Sequence, residues 1–231
     1  MTTYRGTAII VGILFIIATL AGAISFGVFL NPILIAPDYL FQFSAHKIQV
    51  VIGVLLVIIM GLAVVCIPVL MYPILKKQNR VLALGYVVFR ALEAVTFIIT
   101  VISWLLLITL SQEYVKTISS DAAYFQTLGT LFLEAGNWIN SISAILFVAG
   151  VLMFYYILYH SKLVPRFISL WGLIAAILYL AAGLLLMFII ISPSSSIQFI
   201  LMFPLALQEM VLAIWFVFRG FNPSVIAASY T

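Results

Sequence analysis

Three ionisable residues interrupt stretches that are otherwise apolar: Arg90 and Glu93 in one stretch, and Glu209 in another. Arg90 and Glu93 are three positions apart, so on a helix they share one face. A charge at the centre of a membrane helix costs roughly 2.5–3.5 kcal/mol on insertion scales, so such residues face a bundle interior and pair with one another. The spacing therefore predicts a buried site that binds a small solute or a proton.

The charges of this cluster do not balance. If Arg90 neutralises one carboxylate, the second carboxylate leaves one excess negative charge. We therefore expect either Glu93 or Glu209 to hold a proton near neutral pH, or the cluster to bind a cation. The alternative is a static ion pair that only fixes how the helices pack. A triad of all three groups requires the third and sixth helices to touch, which the sequence does not show.

Further polar side chains continue the same face. At 100° per residue, six residues fall within about 140° of arc on one helix: Tyr86, Arg90, Glu93, Thr96, Thr100 and Ser103. We include Thr96 and Thr100 in the candidate ligand or proton site. This stripe lines a polar path, or its hydroxyls bond to their own backbone and to neighbouring helices.

A second polar patch consists of Glu134, Asn137 and Ser141, which share a helix face at relative positions i, i+3 and i+7. Measured back from Tyr159, Glu134 lies about 37 Å along the helix, outside a core of about 30 Å unless the helix tilts or breaks. The patch is therefore a polar cluster at the outer membrane surface or the mouth of a pocket that opens outward.

Composition sets the class of protein. Hydrophobic residues make up 66% of the 231 residues and charged residues 7%, whereas soluble domains have roughly 25% charged residues. A soluble enzyme and a disordered chain are both excluded. The net charge of +4 does not indicate nucleic-acid binding, because the basic residues only separate apolar runs. The sequence predicts an all-α polytopic bundle.

Six segments are long and apolar enough to cross a bilayer, which needs about 20 residues. Together they predict one transmembrane domain over residues 1–231, with spans at about 7–30, 48–75, 81–110, 137–159, 167–191 and 197–218. The first segment contains small residues that resemble a signal cleavage site, but its apolar run continues past them. We therefore expect it to be retained as a span.

Loop charges predict the orientation. One side is expected to hold only basic residues, namely Arg5, Lys76, Lys77, Arg80, Lys162, Arg166 and Arg219. The other side is expected to hold both signs, namely Lys47, Lys116, Asp38, Glu113 and Asp121. Basic residues are retained on the cytoplasmic side, so both termini are predicted to be cytoplasmic.

Several residues are assigned structural roles. Cys66 is the only cysteine, cannot form an intramolecular disulfide, and is expected to be a buried packing residue. Tyr155 and its neighbours are expected to anchor the chain at the membrane boundary. His46 and His160 are predicted at opposite faces, so they cannot share a metal. We predict no cofactor, no metal site and no catalytic residues.

Three stretches resemble one bacterial family of multi-span membrane proteins, domain of unknown function 4386. They are Phe-Arg-Ala-Leu-Glu-Ala at 89–94, the segments 154–166 and 170–174, and the segments 204–215 and 219–222. The family's usual Tyr-Arg-Ser-Arg-Leu is Tyr-His-Ser-Lys-Leu at 159–163, which softens the basic charge there. The resemblance covers nearly the whole chain, supports six spans and implies the bacterial cytoplasmic membrane, and brings no activity.

Two functional hypotheses follow. The first is a membrane protein that binds or moves a small solute or proton through a polar site between the third and sixth helices. The second is a non-catalytic accessory or sensor subunit whose buried charges are structural. An intramembrane enzyme ranks third, because no nucleophile with a base can be identified. The bilayer is the expected partner, nucleic acid is not, and a second copy or a partner membrane protein is left open.

Overall fold

The computed structural model describes residues 2–116 and 122–228. Helices make up nearly all of these residues. In chain order they are α1 (Thr2–Ile24), a π-helical segment (Ser25–Leu30), α2 (Asn31–Leu34), α3 (Tyr39–Ala45), α4 (Lys47–Leu75), α5 (Arg80–Lys116), α6 (Ala122–Ser161), α7 (Arg166–Met187), α8 (Ser196–Phe218) and α9 (Pro223–Ala228).

Six helices are long and apolar enough to cross a membrane, as the sequence predicts. The first spanning helix comprises α1, the π-helical segment and α2, and the others are α4, α5, α6, α7 and α8. Large apolar side chains cover their outward faces, including Leu55, Ile98 and Ile177, each more than half exposed. Such surfaces are stable against lipid tails and not against water. The all-helical class is therefore confirmed, and the apolar helices contact a bilayer.

The six spanning helices form a closed ring. Each helix packs against its neighbours in sequence, and α8 packs against α1 to complete the circle. In such a ring α5 and α8 lie on opposite sides, and they share no extensive packing. The sequence left open whether the third and sixth spans touch; in the structure α6 and α7 on one side and α1 and α4 on the other lie between them around the ring.

Arg5 closes the ring at the face that holds both described ends of the chain. Its guanidinium donates hydrogen bonds to the carbonyl oxygens of Phe216, Val217 and Phe218, at 3.2, 2.7 and 2.9 Å. These carbonyls belong to the last turn of α8, where the helix leaves its acceptors unsatisfied. A cation there also complements the helix dipole, so Arg5 ties the first span to the last. We call this side the termini face, and the other side the opposite face.

The first spanning helix changes its winding at Ser25–Leu30, where it becomes π-helical. The Ser25 hydroxyl donates to the Gly53 carbonyl at 2.7 Å. Gly53 lies so close that a Cβ atom there would be 2.7 Å from Cγ of Leu30. The extra residue of the π turn thus lets the chain approach α4 before Asn31 and Pro32 begin α2.

Helices α5 and α6 are longer than the spans predicted for them. With 37 and 40 residues, they extend about 55 and 60 Å, against a hydrocarbon core of about 30 Å. Both therefore project beyond the bilayer at the opposite face, where α3 packs against α5. The predicted span of α6 began only at Asn137, because the residues before it are too polar for a hydropathy criterion. Asp121, part of the predicted loop charge, lies outside the described residues.

Two local expectations are wrong. Cys66 is exposed on the outside of α4, because an apolar environment in a membrane protein includes lipid as well as protein. Tyr155 is fully buried in the main core cluster, where it packs against Phe154 with ring centroids 5.2 Å apart. Membrane-boundary tyrosines and core tyrosines have the same local sequence signature, so the sequence did not distinguish them.

Candidate functional site

The third spanning helix brings two charged side chains into the interior of the ring. Arg90 and Glu93 on α5 are each only 4% exposed, and Nη1 of Arg90 lies 2.8 Å from Oε2 of Glu93. The i,i+3 spacing predicted from the sequence therefore produces a contact within one helix. Counted from the termini face, Arg90 lies about 15 Å along α5, near the middle of the bilayer.

This ion pair is close but incompletely hydrogen bonded. Among the described residues, Nε and Nη1 of Arg90 and Oε2 of Glu93 have no hydrogen-bond partner of suitable geometry. A guanidinium has five N–H donors, and leaving buried donors unsatisfied costs about 1–3 kcal/mol each. The guanidinium instead faces the ring of Phe147, with Cζ 4.8 Å from its centroid. The guanidinium of Arg90 thus has N–H donors that no acceptor among the described residues satisfies.

Helix α6 makes room for the arginine. A Cβ atom at Gly150 would lie 3.2 Å from Cβ of Phe89 and 3.5 Å from Cδ of Arg90. The absence of a side chain there lets α6 pack directly on the aliphatic part of Arg90. Small residues at such contacts allow close approach of membrane helices, so Gly150 helps to determine where the guanidinium lies.

Glu209 contributes the third charge from α8, across the ring. It is partly exposed, and among the described residues it forms no ion pair within 4.0 Å. It nevertheless interacts electrostatically with Arg90. The predicted triad is therefore a contact pair plus a separate carboxylate. The formal charge of the three groups is −1 when all are ionised.

Two residues near Glu209 were not identified as site residues from the sequence. The Tyr155 hydroxyl donates to Oε1 of Gln208 at 2.6 Å, and Nε2 of Gln208 donates to the Ile168 carbonyl at 3.0 Å. Gln208 is fully buried, and this chain of hydrogen bonds joins α6, α7 and α8 directly beside Glu209. The signal in the sequence was a second polar residue adjacent to an intramembrane glutamate.

The hydroxyls of the predicted polar stripe bond to their own helix. Thr96 donates to the Glu93 carbonyl at 2.6 Å, Thr100 to the Thr96 carbonyl at 3.0 Å, and Ser103 to the Ile99 carbonyl at 3.1 Å. All three are buried. The hydroxyl protons are thereby engaged, although each oxygen keeps acceptor capacity.

The second predicted patch lines a cavity at the opposite face. Glu134, Asn137 and Ser141 surround a space of about 170 Å³ together with Asn140 and residues from the end of α7 to the start of α8. Helix α6 is unbroken from Ala122 to Ser161, so Glu134 lies about 40 Å along it from the termini face, outside the hydrocarbon core. The cavity is therefore at the membrane surface and not beside Arg90.

Neither site has the ligand set of a metal centre. Within residues 2–116 and 122–228, no three His, Cys, Asp or Glu residues come close enough to hold an ion.

A ring of six apolar helices around buried charges defines a polytopic α-helical integral membrane protein. More particularly, the chain belongs to the family described as Domain of unknown function (DUF4386), whose family model matches residues 10–220. Comparison with curated proteins and with solved structures found no match.

Proposed function

We propose that this protein binds a small cation or a proton within the membrane, at the site formed by Arg90, Glu93 and Glu209, as a step in moving it or a small solute across. The carrying observation is that Glu209 lies across the ring from a pair that is already in contact at 2.8 Å. A carboxylate near the middle of the bilayer without an ion-pair partner needs a counter-charge. A proton or a small cation supplies it.

Arg90 gives the site a second arrangement. Its Nε and Nη1 donors have no hydrogen-bond partner of suitable geometry among the described residues and are free to turn toward Glu209, and Phe147 contacts the guanidinium in the arrangement paired with Glu93. Loading Glu209 with a proton removes its attraction for Arg90 and favours the Arg90–Glu93 pair. Unloading it has the reverse effect, which couples occupancy to the packing of α5 against α6.

The second candidate is a non-catalytic accessory or sensor subunit whose charges are structural. One observation favours it: the threonine and serine hydroxyls next to the ion pair donate to their own backbone. In this case the pair only specifies how α5 packs, a role known for buried polar groups in some proteins.

We further propose that residues 1–231 form one membrane domain with cytoplasmic termini, in the bacterial cytoplasmic membrane. The seven basic residues predicted at the termini face support this orientation. Cysteine labelling in intact cells tests it. In a Cys66→Ala background, Lys77→Cys is expected to resist a membrane-impermeant maleimide and Tyr124→Cys to react. The opposite pattern would contradict the orientation.

Infrared spectroscopy of the reconstituted protein tests the central proposal. Between about pH 5 and pH 9, a protonated-carboxyl band is expected to change in the wild type and to be lost in Glu209→Gln. The matched control is Glu134→Gln, which removes a glutamate from the surface cavity and should keep the band.

The two candidates predict different results. A band that responds to pH only when Glu209 is present supports the cation or proton site. A spectrum that is the same in wild type and Glu209→Gln at every pH, with only a lower thermal stability in the variant, contradicts it and favours the structural role.

A further inference from the structure

The cavity at the opposite face combines one carboxylate with several uncharged polar groups. Glu134, Asn137, Asn140 and Ser141 contribute from α6, and Gln198 contributes from α8. Among the described residues, Glu134 forms no ion pair, and no basic residue lines the cavity. The cavity is therefore electronegative and rich in amide and hydroxyl groups, which complements a positively charged ligand with hydrogen-bonding groups of its own.

The volume of the cavity limits the size of the ligand that it can hold. The cavity of about 170 Å³ is well above the roughly 10–15 Å³ that a single water needs. It is larger than one dehydrated metal ion needs and has room for a small organic molecule. Trp138 and Leu186 add apolar wall, against which a short carbon chain can pack.

The loop that forms one side of the cavity is held in a strained conformation. At the end of α7, Ile189 donates to the Leu186 carbonyl and Ile190 to the Leu185 carbonyl, both at 2.9 Å. This pairing is a Schellman motif with Ile189 at the position that glycine usually occupies. Ile189 has φ of +57°, which is an outlier for a β-branched residue. Ile189 lines the cavity, so the strained residue forms part of its wall.

Hydrogen bonds hold the rest of this loop in place. Ser194, at φ +60°, donates its hydroxyl to Oδ1 of Asn31 at 2.7 Å and its N–H to Oε1 of Gln198 at 2.7 Å. The loop is thus connected to the end of the first spanning helix and to the start of α8. Strained residues persist where surrounding contacts determine them, and they cluster at ligand sites. The cavity wall is therefore formed before a ligand arrives.

We propose that this cavity is a binding site for a small primary ammonium compound that also has a hydroxyl or amide group. The ammonium group binds the carboxylate of Glu134, and the second polar group binds the amides of Asn137 or Asn140. This arrangement uses the one unpaired charge of the cavity and its neutral hydrogen-bonding groups at the same time.

Two layers of side chains separate this cavity from the charges at the centre of the ring. A Cβ atom at Gly183 would lie 2.6 Å from Cβ of Ala144, so α6 and α7 are in close contact there. Below them, the rings of Phe147 and Tyr179 lie 4.9 Å apart, and Phe147 contacts Arg90. The inference about the cavity is therefore independent of the proposed central site, and either can fail alone.

Trp138 provides the readout, because it lines the cavity. Purified protein in detergent is titrated with ethanolamine, and with ethylene glycol as the neutral analogue of the same size. Ethanolamine is expected to change the tryptophan emission saturably in wild type and not in Trp138→Phe. Glu134→Gln is expected to weaken binding about two- to fivefold, because Glu134 is exposed and solvent screens its ion pairs.

The matched control is Glu113→Gln. Glu113 is an exposed glutamate near the same face that pairs with Lys116 at 2.8 Å and does not line the cavity. This variant should bind ethanolamine as wild type does. Isothermal titration calorimetry measures the affinity for ethanolamine independently of tryptophan fluorescence. The melting temperature of each variant establishes that it is folded. No saturable binding in wild type, equal affinity in Glu134→Gln, or equal binding of ethylene glycol would each overturn the proposal.

Discussion

Arg90 pairs with Glu93 on its own helix, with Nη1 and Oε2 2.8 Å apart, and not with the glutamate on α8. Glu93 thus neutralises the charge of Arg90 within the third span, and the two side chains lie inside the ring as one ion pair. The remaining carboxylate, Glu209, belongs to a helix on the other side. This division of charge differs from the triad of three paired groups that the sequence allowed.

The pair predicts non-additive effects on stability. Arg90→Met leaves Glu93 buried without its counter-charge, and we expect a loss of about 3–5 kcal/mol. The double variant Arg90→Met with Glu93→Met removes both charges and should be more stable than Arg90→Met alone. Unfolding of each variant in detergent micelles measures the difference. Equal instability of the single and double variants would show that the ion pair is not the cause.

Gly150 gives a test of the close contact between α5 and α6. Gly150→Leu places a side chain against Phe89 and Arg90, and overpacking of this kind costs about 1–3 kcal/mol. Gly136 on the same helix has nothing within 4 Å of its Cβ position. Gly136→Ala should therefore be neutral or stabilising by about 0.5–1 kcal/mol. Thermal unfolding of both variants distinguishes a packing effect from a general effect of replacing glycine.

The strained end of α7 predicts a stabilising substitution. Ile189 is 78% exposed and has φ of +57°, so Ile189→Gly removes strain while losing little packing. We expect a gain of up to about 1 kcal/mol. Ile190, which is also exposed but has no positive φ, supplies the control, since Ile190→Gly should be neutral or destabilising. A lower melting temperature for Ile189→Gly than for Ile190→Gly would contradict the assignment of strain.

The hydrogen bond between Tyr155 and Gln208 predicts the largest effect of removing a single oxygen. Tyr155→Phe leaves Oε1 of the buried Gln208 without its donor, at a cost of about 1–3 kcal/mol. Tyr156 is 48% exposed, and Tyr156→Phe should change stability by no more than about 0.5 kcal/mol. Chemical unfolding of the two variants side by side measures the contrast, and similar values for both would be evidence against a structural role for this bond.

Hydropathy predicted the spanning helices because a bilayer admits few alternatives to long apolar helices. It did not predict the outer parts of α5 and α6, where Tyr39 contacts Thr130 and the Gln126 carbonyl. Those turns lie beyond the hydrocarbon core, and their stability comes from packing against each other and α3 and not from lipid. Composition alone does not encode such contacts.

The candidate site, like the fold, could be predicted only in part from the sequence. The i,i+3 spacing placed Arg90 and Glu93 in contact because one helix determines both positions. The position of Glu209 relative to them depends on the order of helices around the ring, which no local pattern contains. The i,i+3,i+7 spacing placed Glu134, Asn137 and Ser141 on one face, whereas the cavity beside them depends on the unpredicted turn at Ile189.

The hydrogen bonds between Arg5 and the end of α8 join the first spanning helix to the last, so the ring is completed only after α8 has been synthesised. Helix α1 is synthesised before the other five spanning helices described here, and α8, whose end Arg5 caps, is synthesised after them. Arg90 precedes Glu209 by 119 residues, which is about 6–24 s of translation at about 5–20 residues per second. During that interval α5 must reside in the bilayer beside an incomplete ring, and the local partner Glu93 makes the arginine tolerable until assembly is complete.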